Sequence, residues 1–329
     1  MNVSKLLTCP VLALALAGAM GAPAASAADA AQPFTQPAEA ASHATRASVL
    51  GAANAGSRVV TVGEHGIVLL SDDDGKSYRQ ADKVPLRATL NAVHFADPQQ
   101  GWAVGHWGAI LHTADGGRTW QTQRLDTKID QPLFSVYFRD TMHGVAVGLW
   151  SLMLRTEDGG KTWTQVELPH PAAQKGADAN LYAVFAGGPG ALLVAAERGR
   201  ILRSVDDGAT WTYVETGYQG SFWAGTYLKS GALLVGGLKG TIYRSDDAGA
   251  SWKPAASPAK SSVTAFREQD GKVFATALDG VLLTSADDGK SFVATQRADR
   301  LPLTAAAVAS SGVLLQYSKA GVVAAGSRH

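Results

Sequence analysis

The chain has 329 residues, with 29 basic side chains nearly balanced by 28 acidic ones and no lysine- or arginine-rich run. That balance argues against strong charge-driven binding to nucleic acid or to a membrane surface. The only cysteine, Cys9, sits at the extreme N-terminus, so the remainder must be held by core burial without disulfides.

The first 27 residues read as a cleavable export signal. Lys5 supplies the positive start, residues 6–22 are almost all Leu, Ala, Val and Gly, and Ala25-Ser26-Ala27 has the small residues a signal peptidase reads. Cleavage is expected between Ala27 and Ala28, giving a periplasmic or secreted protein. No later stretch reaches 18 apolar residues, so no direct membrane insertion is expected after cleavage.

Residues 28–47 precede the first repeat. From residue 48 the chain is built on one eight-residue pattern, S/T-x-D-x-G-x-S/T-aromatic, which occurs six times. The copies are Ser71–Tyr78, Thr113–Trp120, Thr156–Trp163, Ser204–Trp211, Ser245–Trp252 and Ser285–Phe292. Their aspartates, Asp73, Asp115, Asp158, Asp206, Asp247 and Asp287, are spaced 42, 43, 48, 41 and 40 residues apart. Each copy follows three short apolar runs, such as Leu90–Phe95, Gly101–Gly105 and Ala109–His112, and opens a fourth. Four strands in roughly 40 residues is the period of a propeller blade.

A seventh unit supplies three runs, Leu303–Val308, Val313–Tyr317 and Val322–Ala325, and ends without the motif. The sequence therefore predicts an all-β, seven-bladed β-propeller of four-stranded antiparallel blades over residues 48–329. Residues 34–43 are the candidate closing strand of the last blade, which would leave no open sheet edge. Pro33 and Pro37 restrict such a strand to an edge. A six-bladed ring with a loose tail and an eight-bladed ring are the alternatives; length favours seven.

The repeated aspartates invite a catalytic or metal reading, but a turn-locking role is preferred. A carboxylate between the third and fourth strands accepts hydrogen bonds from nearby backbone N–H groups. Trp120, Trp163, Trp211 and Trp252, with Tyr78 and Phe292, are then apolar wedges between sheets.

Variation between repeats is more informative about function. The turns joining second to third strands are Glu64-His65, His106-Trp107, Leu149-Trp150, Glu197-Arg198, Leu238-Lys239, Leu278-Asp279 and Lys319-Ala320. They lie on the face opposite the Asp boxes. Trp107 and Trp150 come from adjacent blades and have no evident frame role; tryptophans rimmed by charge suit a protein-binding surface, unless they fold onto neighbouring loops. The linkers between blades join this face. The longest runs from Pro169 to Asn180, and Thr216–Trp223 brings Tyr218 and Trp223. The candidate partner-binding residues are thus His65, His106, Trp107, Trp150, Glu197, Arg198, Lys239, Asp279, Tyr218 and Trp223.

The stretch Gly101-Trp102-Ala103-Val104-Gly105-x-x-Gly108-x-Ile110-Leu111-His112-Thr113-x-Asp115-Gly116-Gly117-x-Thr119-Trp120 resembles the repeat of the photosystem II stability/assembly factor family, and the resemblance spans about residues 48 to 325. It implies a non-enzymatic protein that binds a membrane-protein partner during assembly through a basic patch, whose nearest counterpart here is Arg198 with Lys239. Non-photosynthetic members resemble periplasmic accessory factors of exporters. No cofactor is implied.

The enzymatic alternative is a sialidase-like or other glycoside hydrolase, since those enzymes also carry Asp boxes. The chain has no Arg-Ile-Pro motif, and its arginines do not recur at matching inner-strand positions. Glu64, Glu197 and Asp279 are the acids from which a glycosidase pair would have to be drawn. His65 and His106 sit on adjacent turns, yet the histidines show no close metal-ligand spacing.

Overall fold

The computed structural model describes residues 32–169 and 178–323. The inner strands of the seven blades are Val49–Ala55, Leu90–Phe95, Leu133–Phe138, Leu181–Ala186, Phe222–Tyr227, Val263–Gln269 and Leu303–Val308. Each touches the next, and the seventh touches the first, so the ring is closed. Within a blade the strands pair antiparallel in chain order, so chain neighbours are also sheet neighbours. Among the described residues, six blades have four strands and the seventh has three, Leu303–Val308, Leu314–Ser318 and Gly321–Val322. The fold is the seven-bladed propeller expected from the repeat. Among the described residues, helix is limited to six three-residue 3-10 turns, and no helix is long and apolar enough to cross a membrane.

The cores lie between blades. In blades 2 to 5 the second strand is buried along its whole length, for example Gly101–Gly105. Sandwiched between sheets, these strands read as continuous short apolar runs. Trp120 of blade 2 packs into the core that it shares with Val60, Val68 and Leu70 of blade 1. Trp163, Trp211, Trp252 and Phe292 stand in the same relation to the blade preceding their own, and Tyr78 of blade 1 reaches the core shared with blade 7. Six wedges thus serve seven interfaces. The one without a wedge, between blades 6 and 7, is tied by Thr264, whose hydroxyl donates to the Leu303 carbonyl at 3.0 Å. Across blade 7, Arg267 reaches the Ala52 carbonyl of blade 1 at 2.8 Å.

The Asp boxes share one geometry. Asp115 accepts the Thr119 N–H at 2.9 Å and the Thr119 hydroxyl at 2.7 Å. Thr113 donates its hydroxyl to Asp115 at 2.8 Å and accepts the Gly117 N–H at 3.0 Å. Asp73, Asp158, Asp206, Asp247 and Asp287 repeat this with their own Ser or Thr partners. The fifth residue of the box is left-handed throughout, as at Gly117 (φ 87°), a conformation that favours glycine. Charge-assisted acceptance of three donors holds these carboxyls below the ordinary 3.8, at about 2 for Asp73, Asp158, Asp206 and Asp247.

The N-terminal segment departs from expectation. Residues 34–43 do not form the closing strand of blade 7. Pro33–Thr35 is a 3-10 turn, and the segment then crosses the linker between blades 1 and 2. Ala38 donates its N–H to the Val84 carbonyl and Phe34 accepts the Arg87 N–H, both at 3.0 Å. The Gln80 amide meets Ala41 N–H at 3.1 Å and the Glu39 carbonyl at 2.8 Å. The reason is chemical: Pro33 and Pro37 bring no ladder donors, whereas Phe34 and Ala38 pack against the core containing Val84 and Leu86.

Closure falls instead to residues 44–46. In four complete blades the tip glycine sits against the carbonyl or backbone of the outgoing linker: a Cβ on Gly66, Gly199 or Gly240 would lie 2.0, 1.9 or 2.2 Å from the carbonyl oxygen of Leu86, Tyr218 or Ala259, and one on Gly280 would meet the Arg300 backbone at 3.0 Å. Gly321 of blade 7 makes the same approach to Thr45, at 2.0 Å. The chain before blade 1 therefore occupies the place of the linker after blade 7.

Candidate partner-binding face

In blades 1 to 6 the tips between second and third strands are two-residue turns with both residues left-handed; in blade 7 only Gly321 is. In blade 2 these are Trp107 (φ 60°, ψ 27°) and Gly108 (φ 54°), closed by the Ala109 N–H on the His106 carbonyl at 3.1 Å. This is the type I′ geometry that suits a right-twisted hairpin and favours Asn-Gly or Asp-Gly. Only Asp279-Gly280 matches that preference. His65, Trp107, Trp150, Arg198 and Lys239 hold the same strained backbone with φ between 53° and 60°. Bulky residues are unusual there, so the tips are filled for a reason other than local backbone preference. Trp150 is the extreme case, because Ser151 (φ 58°) replaces the glycine that follows in the other tips.

The two tip tryptophans have different surroundings. Trp107 is covered: Phe34 stacks on it at 4.0 Å with planes 7° apart. Its backbone N–H donates to Asp130 at 2.7 Å, and the other Asp130 oxygen meets His106 Nδ1 at 2.9 Å. Trp150 is 54% exposed. Its backbone N–H donates to the Asn180 side-chain carbonyl at 3.1 Å. Asn180 in turn holds Glu197 through its amide at 2.7 Å, and Glu197 also accepts the Tyr182 hydroxyl at 3.1 Å. Asn180 thereby links the blade 3 tip to Glu197 of blade 4. Burial raises the Tyr182 hydroxyl above its ordinary range, so it stays protonated as the donor.

Trp223 sits at the bulge that opens the blade 5 inner strand. Phe134 and Tyr182 hold the same position in blades 3 and 4, with centroids 5.6 Å apart, and Tyr182 lies 6.4 Å from Trp223. The three form an aromatic arc across the starts of three adjacent inner strands. Phe134 and Tyr182 were not among the sequence candidates, although aligning the repeats on the bulge exposes them: Asn91, Thr264 and Thr304 stand there in blades 2, 6 and 7. Ile129 (56% exposed), Asp130 and Asn180 were also missed, because linkers between blades do not repeat.

Other candidates have structural duties. Tyr218 turns into blade 5, donates its hydroxyl to the Leu238 carbonyl at 3.0 Å and packs on Phe222 and Tyr243. Asp279 accepts the Gln296 amide at 2.9 Å. Arg198 and Lys239 are exposed on adjacent tips. His65 lines an open cleft of about 1020 Å³ beneath the N-terminal segment, with Phe34, Arg46 and Arg87. Residues 170–177 of the long linker lie outside the described residues, as do the export signal and Cys9.

Glu64, Glu197 and Asp279 belong to blades 1, 4 and 6, no two of which are neighbours, and the last two are engaged by amide or hydroxyl donors. His106 is turned to Asp130. Among the described residues, no group of three or more His, Cys, Asp or Glu side chains is arranged to hold a metal ion.

Fold and repeat together define an Asp-box β-propeller whose variable face is a ring of strained tips. A family model described as photosynthesis system II assembly factor YCF48 matches residues 79–234 and again 129–280, more than half of the chain in all. The chain belongs to this family. A solved structure described as YCF48 bound to D1 peptide is similar, with a TM-score of 0.67 at 18% identity, over 88% of this chain and 95% of that one. YCF48 from Cyanidioschyzon merolae is similar with a TM-score of 0.65 at 17% identity, over 84% and 94%. At such identity the likeness is one of fold. No curated protein sequence matches the chain.

Proposed function

We propose that this protein is an exported, non-enzymatic binding module whose tip face docks a protein partner and assists its assembly or stability. The observation that carries the reading is Trp150, a large apolar side chain held out to solvent on strained backbone, with exposed Ile129 on the preceding linker. Membership of an assembly-factor family supports a protein partner, and so does the similar propeller described as bound to the D1 peptide. Export rests on the N-terminal signal pattern and places the partner in the periplasm or at the outer surface of the inner membrane. A membrane-embedded complex such as an exporter fits that location.

Capture from envelope extract tests this reading. The wild type, Trp150→Ala and Val205→Glu would be compared, Val205 being an exposed residue within the blade 4 Asp box on the opposite face. Partners should be lost with Trp150→Ala and kept with Val205→Glu. The same partners with all three would overturn the choice of face. Robust turnover of aryl glycosides or sialosides by the purified protein would overturn the non-enzymatic reading.

A further inference from the structure

The protein carries a similar apolar seat twice, and among the described residues only one copy is covered by the chain itself. In blade 2 the seat consists of the tip residue Trp107 and Leu86, four residues before the inner strand that begins at Leu90. Residues 34–39 lie across it. Phe34 stacks on Trp107, the Phe34 carbonyl and Ala38 N–H bond the linker, and Glu39 forms an ion pair with Arg87. Leu86 is 4% exposed. In blade 3 the matching residues are Trp150 at the tip and Ile129, again four residues before an inner strand, here the one beginning at Leu133. Both are more than half exposed.

One feature of the seat is inverted. Three residues before the inner strand, blade 2 has Arg87 and blade 3 has Asp130. Asp130 holds the Trp107 backbone N–H and His106 Nδ1 with its two oxygens yet stays partly exposed, able to accept a further donor, and Asp126 and Lys128 lie on the same linker. The segment that covers blade 2 brings Glu39 to Arg87. A glutamate at that place would face a carboxylate in blade 3, and like charges oppose binding. The inversion disfavours residues 34–39 of a second copy and favours a cation.

We propose that Trp150 and Ile129 seat an extended peptide of a partner protein, which stacks an aromatic side chain on Trp150 and presents a lysine or arginine five residues later to Asp130. The inference rests on the tip face being the protein-binding face, and it names the chemistry that face reads. An aromatic ring on an exposed tryptophan supplies the anchor, and the ion pair supplies the choice of partner.

The test uses the full mature protein and synthetic peptides copying residues 32–43. One peptide keeps the native sequence, one carries Glu39→Lys, and one carries both Glu39→Lys and Phe34→Ala. Binding is followed by calorimetry. The Glu39→Lys peptide should bind at least tenfold more tightly than the native peptide, and the loss of the phenyl ring should abolish saturable binding. In the protein, Trp150→Ala should weaken the Glu39→Lys peptide at least tenfold while Trp150→Phe keeps it within about threefold. Asp130→Asn should remove the preference for lysine over glutamate. Absence of saturable binding by the Glu39→Lys peptide, or binding unchanged in Trp150→Ala, would overturn the proposal. If the protein still captures a partner through Trp150 while no peptide binds, the peptide chemistry is wrong and the choice of face stands.

Discussion

The phenyl ring of Phe34 lies flat on the indole of Trp107, 4.0 Å away and 7° from parallel. The contact joins a segment that precedes the propeller to a tip of its second blade. It turns one of two equivalent tryptophans into part of the frame and leaves the other outside it.

Removing that ring should release the segment without opening the propeller. Stacking contributes about 1 kcal/mol beyond burial. Phe34→Ala should lower the melting temperature by only a few degrees, about 2–4 °C per kcal/mol for a chain of this size. Tryptophan emission should move to the red as Trp107 meets water. An unchanged spectrum would contradict the stacked arrangement.

The Asp-box tryptophans should differ in what their indole nitrogen contributes. Trp120 is 1% exposed and donates Nε1–H to the Gly117 carbonyl at 2.9 Å. Trp163 has no partner for its buried Nε1–H among the described residues. Trp120→Ala should cost about 3–5 kcal/mol as a large core truncation. Trp163→Phe should cost less than Trp120→Phe, because it removes an unsatisfied donor rather than a hydrogen bond. Urea denaturation of the two Phe variants gives the comparison; equal losses would refute it.

Acid should weaken the fold through the boxes in a defined window. Four of the carboxyls titrate at about 2 in the folded chain against an ordinary 3.8. The unfolded chain therefore takes up protons first as pH falls. The stabilisation is complete above about pH 4 and drains as pH drops to about 2. Urea midpoints should fall steeply over that range, and Asp158→Asn should make the fall shallower. A flat profile from pH 4 to pH 2 would contradict the geometry of the boxes.

His94 adds a separate window. It is desolvated beside Tyr137, its Nε2 meets the Phe138 carbonyl at 2.9 Å, and its pKa is lowered from 6.5 to about 4, burial being the main cause. A neutral folded histidine loses to a protonated unfolded one as pH falls. Its contribution should be full above about pH 6.5, decline below that, and level off near pH 4. His94→Gln should remove the slope between those values while leaving the acid transition of the boxes in place.

Much of the architecture was readable because the repeat states it in identical residues. Ser or Thr, Asp, Gly and an aromatic residue recur wherever the same turn and wedge recur, so blade number, strand order and the face carrying the boxes follow from spacing. The segment from Phe34 to Glu39 was misread as a strand because it meets Trp107 and Arg87 some 50 to 70 residues away, and nothing local records such a contact. Trp107 and Trp150 look alike in sequence for the same reason. Tyr218 seemed a surface aromatic in a glycine-rich linker, yet its hydroxyl finds the Leu238 carbonyl and draws the ring inward. The aromatic arc of Phe134, Tyr182 and Trp223 emerges only when the repeats are aligned on the bulge of the inner strand.

The central claim is that the protein works through the face carrying Trp150. The most direct measurement replaces single residues by a photo-crosslinking amino acid in the protein expressed in its own host. Position 150 would be compared with position 205 on the Asp-box face. Illumination should give a discrete adduct from position 150 and none from position 205. An adduct from position 205 with none from position 150 would contradict the account.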